Sequence, residues 1–305
     1  MEIFKHLYDT YLIKSANSIM HDPYRLFLLE NNLFEPVLTN QTPIDVQDEF
    51  LDLYPKWIAS SQLNKLTGLE AFPYRHVSLG VHQAIDDFVL WTFKNNRRLR
   101  VFKGEYGYGR EISHCDNFPV ADILPLEAGD ALLISCPFST TGDKHSRWDE
   151  IIDTCNRLEI PVFVDCAFFG TCIDIVVDFD QPCIDTVAFS PTKGLNCGNL
   201  RSGMSMTKRA GRESSLSILT EWHHGIHFHT YLAYNLMKNF GPDTIPNAYR
   251  DIQIEVCKHY NLTPTNTMHL ALGDESWSHY NREGVANRVG LRNAIYDYAK
   301  TGKVK

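Results

Sequence analysis

Short apolar runs and helical stripes alternate through the middle of the chain. Residues 131–135 and 187–189 are continuously apolar, as expected of strands buried on both faces. Residues 98–104 and 202–206 read as further strands. Val81, Ala84, Ile85, Phe88, Val89 and Phe93 recur with a helical period, and so do Trp148, Ile151, Ile152, Cys155 and Leu158. Ser146-x-x-Asp149 resembles a capping box opening that second helix. A strand over 161–164, ending in Asp165, completes a β-α-β unit, and ligands bind at the carboxyl ends of such strands.

The flanks read differently. Phe4, Leu7, Tyr8, Tyr11 and Leu12 are spaced for a helical face, and 45–57 predicts another helix, which Pro55 should end before Trp57. Helices over 231–240, 246–260 and 291–298, with a strand over 267–272, close the chain. The expected organisation is an N-terminal helical part over 1–60, a large α/β domain over 61–215, and a connecting helix with a small domain over 216–305.

Composition narrows the function. The 305 residues carry a net charge of −8, which argues against a broad nucleic-acid or membrane-surface role. No apolar run reaches the roughly 18 residues of a membrane span, and the first residues lack a signal-peptide core, so a cytoplasmic protein is expected. Eight cysteines, at 115, 136, 155, 166, 172, 183, 197 and 257, form no Cys-x-x-Cys pair and are expected as buried reduced thiols. His223, His224, His227 and His229 cluster without a carboxylate or cysteine at ligand spacing, so no metal is expected. Neither phosphate-loop nor dinucleotide-binding glycine patterns occur.

The chemistry centres on the stretch from Val187 to Gly203. A strand runs into Ser190, Pro191, Thr192 and Lys193, and Arg201 follows eight positions later. A lysine condenses with an aldehyde only when neutral, and desolvation or a nearby cation supplies that form. Ser190 and Arg201 are the groups to hold a dianionic phosphate beside it. Upstream, Gly80 opens a helix whose free N–H groups suit the same anion, with Val81 and His82 supplying the amides.

This stretch resembles the Schiff-base segment of pyridoxal-phosphate enzymes of fold type I, the class I/II aminotransferase group. The resemblance covers roughly residues 76–206, in matching order along the chain. It implies a three-layer α-β-α large domain with a mostly parallel sheet and a small α+β domain. It implies pyridoxal 5'-phosphate bound covalently through Lys193, with Lys193 also the base, Asp165 against the ring nitrogen, and Ser190, Arg201, Val81 and His82 on the phosphate. Tyr106 would stack on the ring, with Tyr108 the second choice. Cys136-Pro137-Phe138-Ser139 resembles the family's Asn-Pro-Thr-Gly turn with Ser139 in place of the asparagine, and Phe168 stands where a tyrosine is usual. Both usual donors to the cofactor's 3-oxygen are therefore altered.

The expected partner is an amino acid or small amine, and the expected assembly a homodimer; whether His227 or His229 reaches the neighbouring subunit is left open by the sequence. Arg282, Arg288 and Arg292 are candidates for a substrate carboxylate. Transamination is the first reading. A decarboxylase or lyase is the alternative, and a non-catalytic relative of the fold is a third.

Overall fold

The structure is a computed structural model that describes residues 12–43, 45–114, 117–118, 126–210, 214–224 and 226–304. The helical face expected over Phe4, Leu7, Tyr8 and Tyr11 lies outside the described residues, as does Cys115. The helices are α1 (Asp22–Glu30), α2 (Val46–Ala59), α3 (Val81–Lys94), α4 (Trp148–Leu158), α5 (Ser215–Glu221), α6 (His227–Asn239), α7 (Thr244–Tyr260) and α8 (Arg292–Thr301), with shorter turns between them. The central strands are β2 (Tyr74–Ser78), β3 (Arg98–Phe102), β4 (Asn117–Phe118), β5 (Asp130–Ser135), β6 (Val162–Cys166), β8 (Ile184–Phe189) and β9 (Gly203–Thr207). β1 (Lys65–Thr67) and β7 (Val176–Asp178) form a separate parallel pair.

The seven central strands lie in the order β2-β9-β8-β6-β5-β3-β4. Neighbours from β8 to β4 run parallel, and β9 is antiparallel to both β8 and β2. Alternate residues of the buried strands face opposite layers. Leu133, Phe163 and Ala188 pack with Ala84, Ile85 and Phe88 of α3. Leu132, Ile134, Val162 and Val164 face the other way, into the core shared with Ile151, Ile152 and Cys155 of α4. The result is three layers, and each fully buried side chain of this size contributes roughly 1.5–3 kcal/mol.

A second sheet is antiparallel, in the order β10-β11-β13-β12. Its strands are β10 (Thr263–Pro264), β11 (Leu270–Gly273), β12 (Asn281–Arg282) and β13 (Ala286–Gly290). Residue 13 pairs with its edge: the N–H of Ile13 donates to the Gly290 carbonyl at 3.0 Å and the reverse bond is 2.6 Å. A Cβ at Gly290 would lie 2.4 Å from the Ser15 carbonyl oxygen, so the two backbones meet only because position 290 has no side chain. Among the described residues, no helix is long and apolar enough to cross a membrane. The seven described cysteines are free and buried.

Three local expectations need correction. Pro55 lies inside α2, which continues through Trp57 to Ala59. Proline removes one helical hydrogen bond, but Trp57 and Ile58 are buried and the Trp57 indole donates to the Phe240 carbonyl at 2.7 Å, which offsets the loss. Ser146 does not cap α4; its N-cap is Arg147, with no side-chain cap, and the His145 imidazole accepts the Arg147 N–H at 3.1 Å instead. The strand expected over 267–272 is β11, shifted towards the C-terminus.

Candidate active site

The central strands deliver their polar residues to one end of the sheet. β8 ends at Phe189, and a single helical turn, Pro191–Gly194, follows. Ser190 caps that turn, its Oγ accepting the Thr192 N–H at 3.2 Å, and Pro191 takes the first helical position, where a missing N–H costs nothing. The turn aims Lys193 into a cavity of about 440 Å³, within the range of small-molecule sites. The nine residues that the resemblance places around the cofactor line it: Val81, His82, Tyr106, Ser139, Asp165, Phe168, Ser190, Lys193 and Arg201; Tyr108, the second choice for the ring, does not.

One end of the cavity gathers the start of α3, Ser190 and Arg201. Gly80 precedes α3 with φ +70°, and no side chain caps the first N–H groups of that helix. A Cβ at Gly80 would meet an Arg201 Nη2 at 2.8 Å, so the guanidinium approaches the turn as closely as glycine allows. Ser190 Oγ donates to the Ser202 carbonyl at 3.1 Å and lies 3.4 Å from the same Cβ position. Arg201 contacts the Leu79 carbonyl at 3.4 Å and His82 Nδ1 at 3.0 Å. Burial, then the Arg201 charge, hold the His82 imidazole below its usual range.

At the other end Asp165 sits at the end of β6, buried, and accepts the Ala167 N–H at 2.8 Å. Burial pushes its carboxyl up to about 7, and the nearby Glu105 adds to the shift. Lys193 moves the other way. Burial, with the Arg201 and Arg288 charges, lowers its ammonium to about 8, so a neutral amine is accessible near physiological pH. Its Nζ donates to the Ala16 carbonyl. Tyr106 lies with its ring 5.4 Å from that of His82, nearly parallel at 16°, and its hydroxyl is 2.7 Å from His82 Nε2.

The two unusual positions sit where the sequence left them. Phe168 meets the His269 ring edge-on at 4.9 Å. Ser139 is buried, and its carbonyl accepts from Arg288 Nη1 at 2.7 Å. Of the three candidate arginines, Arg282 and Arg288 line the cavity. Arg292 borders an adjoining cavity instead, with Nη2 3.2 Å from Met20 Sδ. Arg288 is 4% exposed, is held by the Ser139 and Lys14 carbonyls, and has no carboxylate within ion-pair distance among the described residues. Burial lowers its pKa to about 9. His229 Nδ1 lies 2.9 Å from the Arg201 carbonyl, and His227 Nε2 lies 2.6 Å from the His223 carbonyl.

Sequence reasoning missed the wall formed by Ser15, Ala16 and Asn17. Nearby contacts fix that segment: Tyr24 donates to the Gly194 carbonyl at 2.9 Å, and the His21 N–H donates to Asn196 Oδ1 at 2.7 Å. It also missed Ser135, which lines the cavity, and Glu105, bonded to it from behind.

Comparison with solved structures identifies the fold. The chain resembles a tyrosine aminotransferase from Leishmania infantum at TM-score 0.63 and 12% identity, covering 94% of this chain and 90% of that one. It resembles the histidinol-phosphate aminotransferase from Clostridium acetobutylicum at TM-score 0.58 and 11% identity, over 94% and 97% of the two chains. A PLP-bound C-S lyase from Staphylococcus hominis aligns at TM-score 0.59 and 10% identity, over 83% and 80%. No protein-family model matches the chain, and no curated protein matches it in sequence. The fold is that of the pyridoxal-phosphate-dependent aminotransferases of fold type I. The order of Asp165, Lys193 and Arg201 along the sheet's carboxyl end is thus set within the fold on which such enzymes are built.

Proposed function

We propose that the chain is a pyridoxal-phosphate-dependent enzyme acting on amino acids, with transamination as its reaction. The observation that carries this is the convergence of an amine near pKa 8, a buried carboxyl and an anion cradle on one cavity.

The residues present fit the cofactor. Arg201, without a carboxylate partner among the described residues, joins Ser190 and the uncapped start of α3 in a cradle suited to a dianionic phosphate. Asp165, buried with one N–H donor, suits a protonated ring nitrogen. When bound, pyridoxal phosphate supplies an electron sink for the charge left on the substrate's α-carbon.

The rest falls to the chain. Lys193 would hold the cofactor at its aldehyde group and would move a proton at the substrate's α-carbon; its depressed pKa suits both tasks. Arg288 takes the substrate carboxylate with a guanidinium that has no carboxylate within ion-pair distance among the described residues. Tyr106 covers the ring face. The Ser15–Asn17 wall and Phe168 exclude water, which strengthens each charge interaction inside.

A second reading rests on Phe168 and Ser139. A phenyl ring has no hydroxyl to give, and a serine reaches less far than an asparagine. The weaker hold on the 3-oxygen favours a specialised decarboxylation or elimination over transamination. Assembly as a homodimer belongs to the same proposal and is read by sedimentation.

The test is reconstitution of the purified protein with pyridoxal phosphate. An absorbance band at roughly 410–430 nm, lost on borohydride treatment and in Lys193→Ala, is expected. No such band in the wild type overturns the proposal. Screening amino acids then separates the readings: a pyridoxamine spectrum marks transamination, and carbon dioxide or a leaving group marks the alternative.

A further inference from the structure

Glu105 is a buried carboxylate that the proposed function does not use. It follows β3 and is 2% exposed. Three donors reach it: the Ser135 N–H at 2.7 Å, the Tyr106 N–H at 2.9 Å and the Ser135 hydroxyl. No cation lies within ion-pair distance among the described residues, although Arg282 donates to the Glu105 backbone carbonyl at 3.1 Å. A buried carboxyl without an ion pair is costly, so its retention calls for a cause.

The strand register supplies one. Ser135 ends β5 directly beside Asp165 on β6. Glu105 is therefore clamped to the residue neighbouring Asp165, and the two carboxyls share one buried end of the cavity. Three donors and no acceptor describe a carboxylate anion. Asp165 has one donor among the described residues. Where two buried acids interact, the better-solvated one keeps its charge and the other gains the proton. Burial raises the Glu105 carboxyl, and the Ser135 and Tyr106 hydrogen bonds and the Arg282 charge oppose it, with Arg288 and Cys136 sensing its charge; burial and Glu105 raise Asp165 and the Ala167 N–H and Lys193 oppose them, with Tyr106 and Cys166 sensing it.

We propose that Glu105 is a positioning residue for Asp165: clamped by Ser135 and the Tyr106 amide, its buried charge keeps a proton at the Asp165 end of the cavity. That proton is shared with the base that pairs with Asp165. Identifying this base as the cofactor's ring nitrogen rests on the proposed function; the coupling of the two carboxyls does not. A negative charge behind Asp165 makes the nitrogen in front of it more basic and holds it cationic through neutral pH.

Two measurements test this. In cofactor-free protein carrying 13C-labelled aspartate, the Asp165 carboxyl is titrated by NMR and identified by its absence in Asp165→Asn. Glu105→Gln should lower the Asp165 midpoint by about one pH unit, a tenfold loss of proton affinity, while Glu105→Asp keeps most of it. An unchanged midpoint in Glu105→Gln overturns the proposal. With pyridoxal phosphate 15N-labelled in the ring, the nitrogen should lose its proton at lower pH in Glu105→Gln than in wild type; identical titrations overturn the proposal. Should wild type fail to retain the cofactor, the proposed function falls and the carboxyl titration still decides the role of Glu105. If Glu105→Gln does not fold, Ser135→Ala removes one donor, so Glu105 is neutralised more readily and the Asp165 midpoint falls by a smaller amount; no change there also overturns the proposal.

Discussion

Lys193→Met in the cofactor-free protein isolates the electrostatic penalty of the site's amine. Burial and the charges of Arg201 and Arg288 lower the folded pKa from 10.5 to about 8. Between those two values the unfolded chain binds a proton that the folded chain does not, so stability rises with pH across that window. Below pH 8 both states are protonated and the folded state carries the whole penalty; above 10.5 both are neutral and it vanishes. The gap corresponds to about 3 kcal/mol, or about 2–3 kcal/mol once solvent screening in the cavity is allowed for. Methionine has similar length and no charge. The variant should therefore be more stable than wild type at pH 7, by an amount that shrinks by about 2–3 kcal/mol towards pH 10.5. Urea unfolding followed by circular dichroism at several pH values measures both proteins, and their difference cancels the buried tyrosines and cysteines they share. A difference that stays constant with pH refutes the reasoning, because Lys193 would then titrate alike in both states.

Arg201→Ala removes the cradle's cation and should weaken pyridoxal phosphate binding about ten- to a hundredfold, read by fluorescence titration, with little change in unfolding midpoint. Arg288→Met should raise KM for amino acids about a hundredfold at modest cost to kcat, measured in steady-state assays of the reconstituted protein. His269, buried with neither ring nitrogen partnered among the described residues and a pKa well below the usual, is neutral, so His269→Leu should leave stability unchanged or raise it by about 1 kcal/mol in thermal denaturation.

How much of this was legible in the chain depends on what each residue needed. The buried strands announced themselves because strands covered on both faces need continuous apolar runs, as 131–135 and 187–189 have. Asp165 and Lys193 were located from such runs, Asp165 directly after 161–164 and Lys193 four positions after Phe189. The cradle was visible as Gly80 before an apolar helical stripe. Arg288, proposed here for the substrate carboxylate, could be named only with Arg282 and Arg292, because it lies on β13, a short strand whose mixed pattern carries little signal. Glu105 was invisible for another reason. Its role comes from the register between β5 and β6, a relation between residues 30 and 60 positions away in the chain. Ala16 belongs to the same class: nothing local to it reports that a lysine 177 residues on will use its carbonyl. Pro55 misled because a local rule was outweighed by the packing of Trp57.

Gly290 carries a consequence for anyone comparing relatives of this chain. The segment passing over it supplies the Ala16 carbonyl to Lys193 and the Lys14 carbonyl to Arg288. Even one methyl group there would collide with the Ser15 backbone and push the whole segment aside. A homologue could thus keep every cavity-lining side chain and still be silent, its fault lying in a position that no catalytic signature would include.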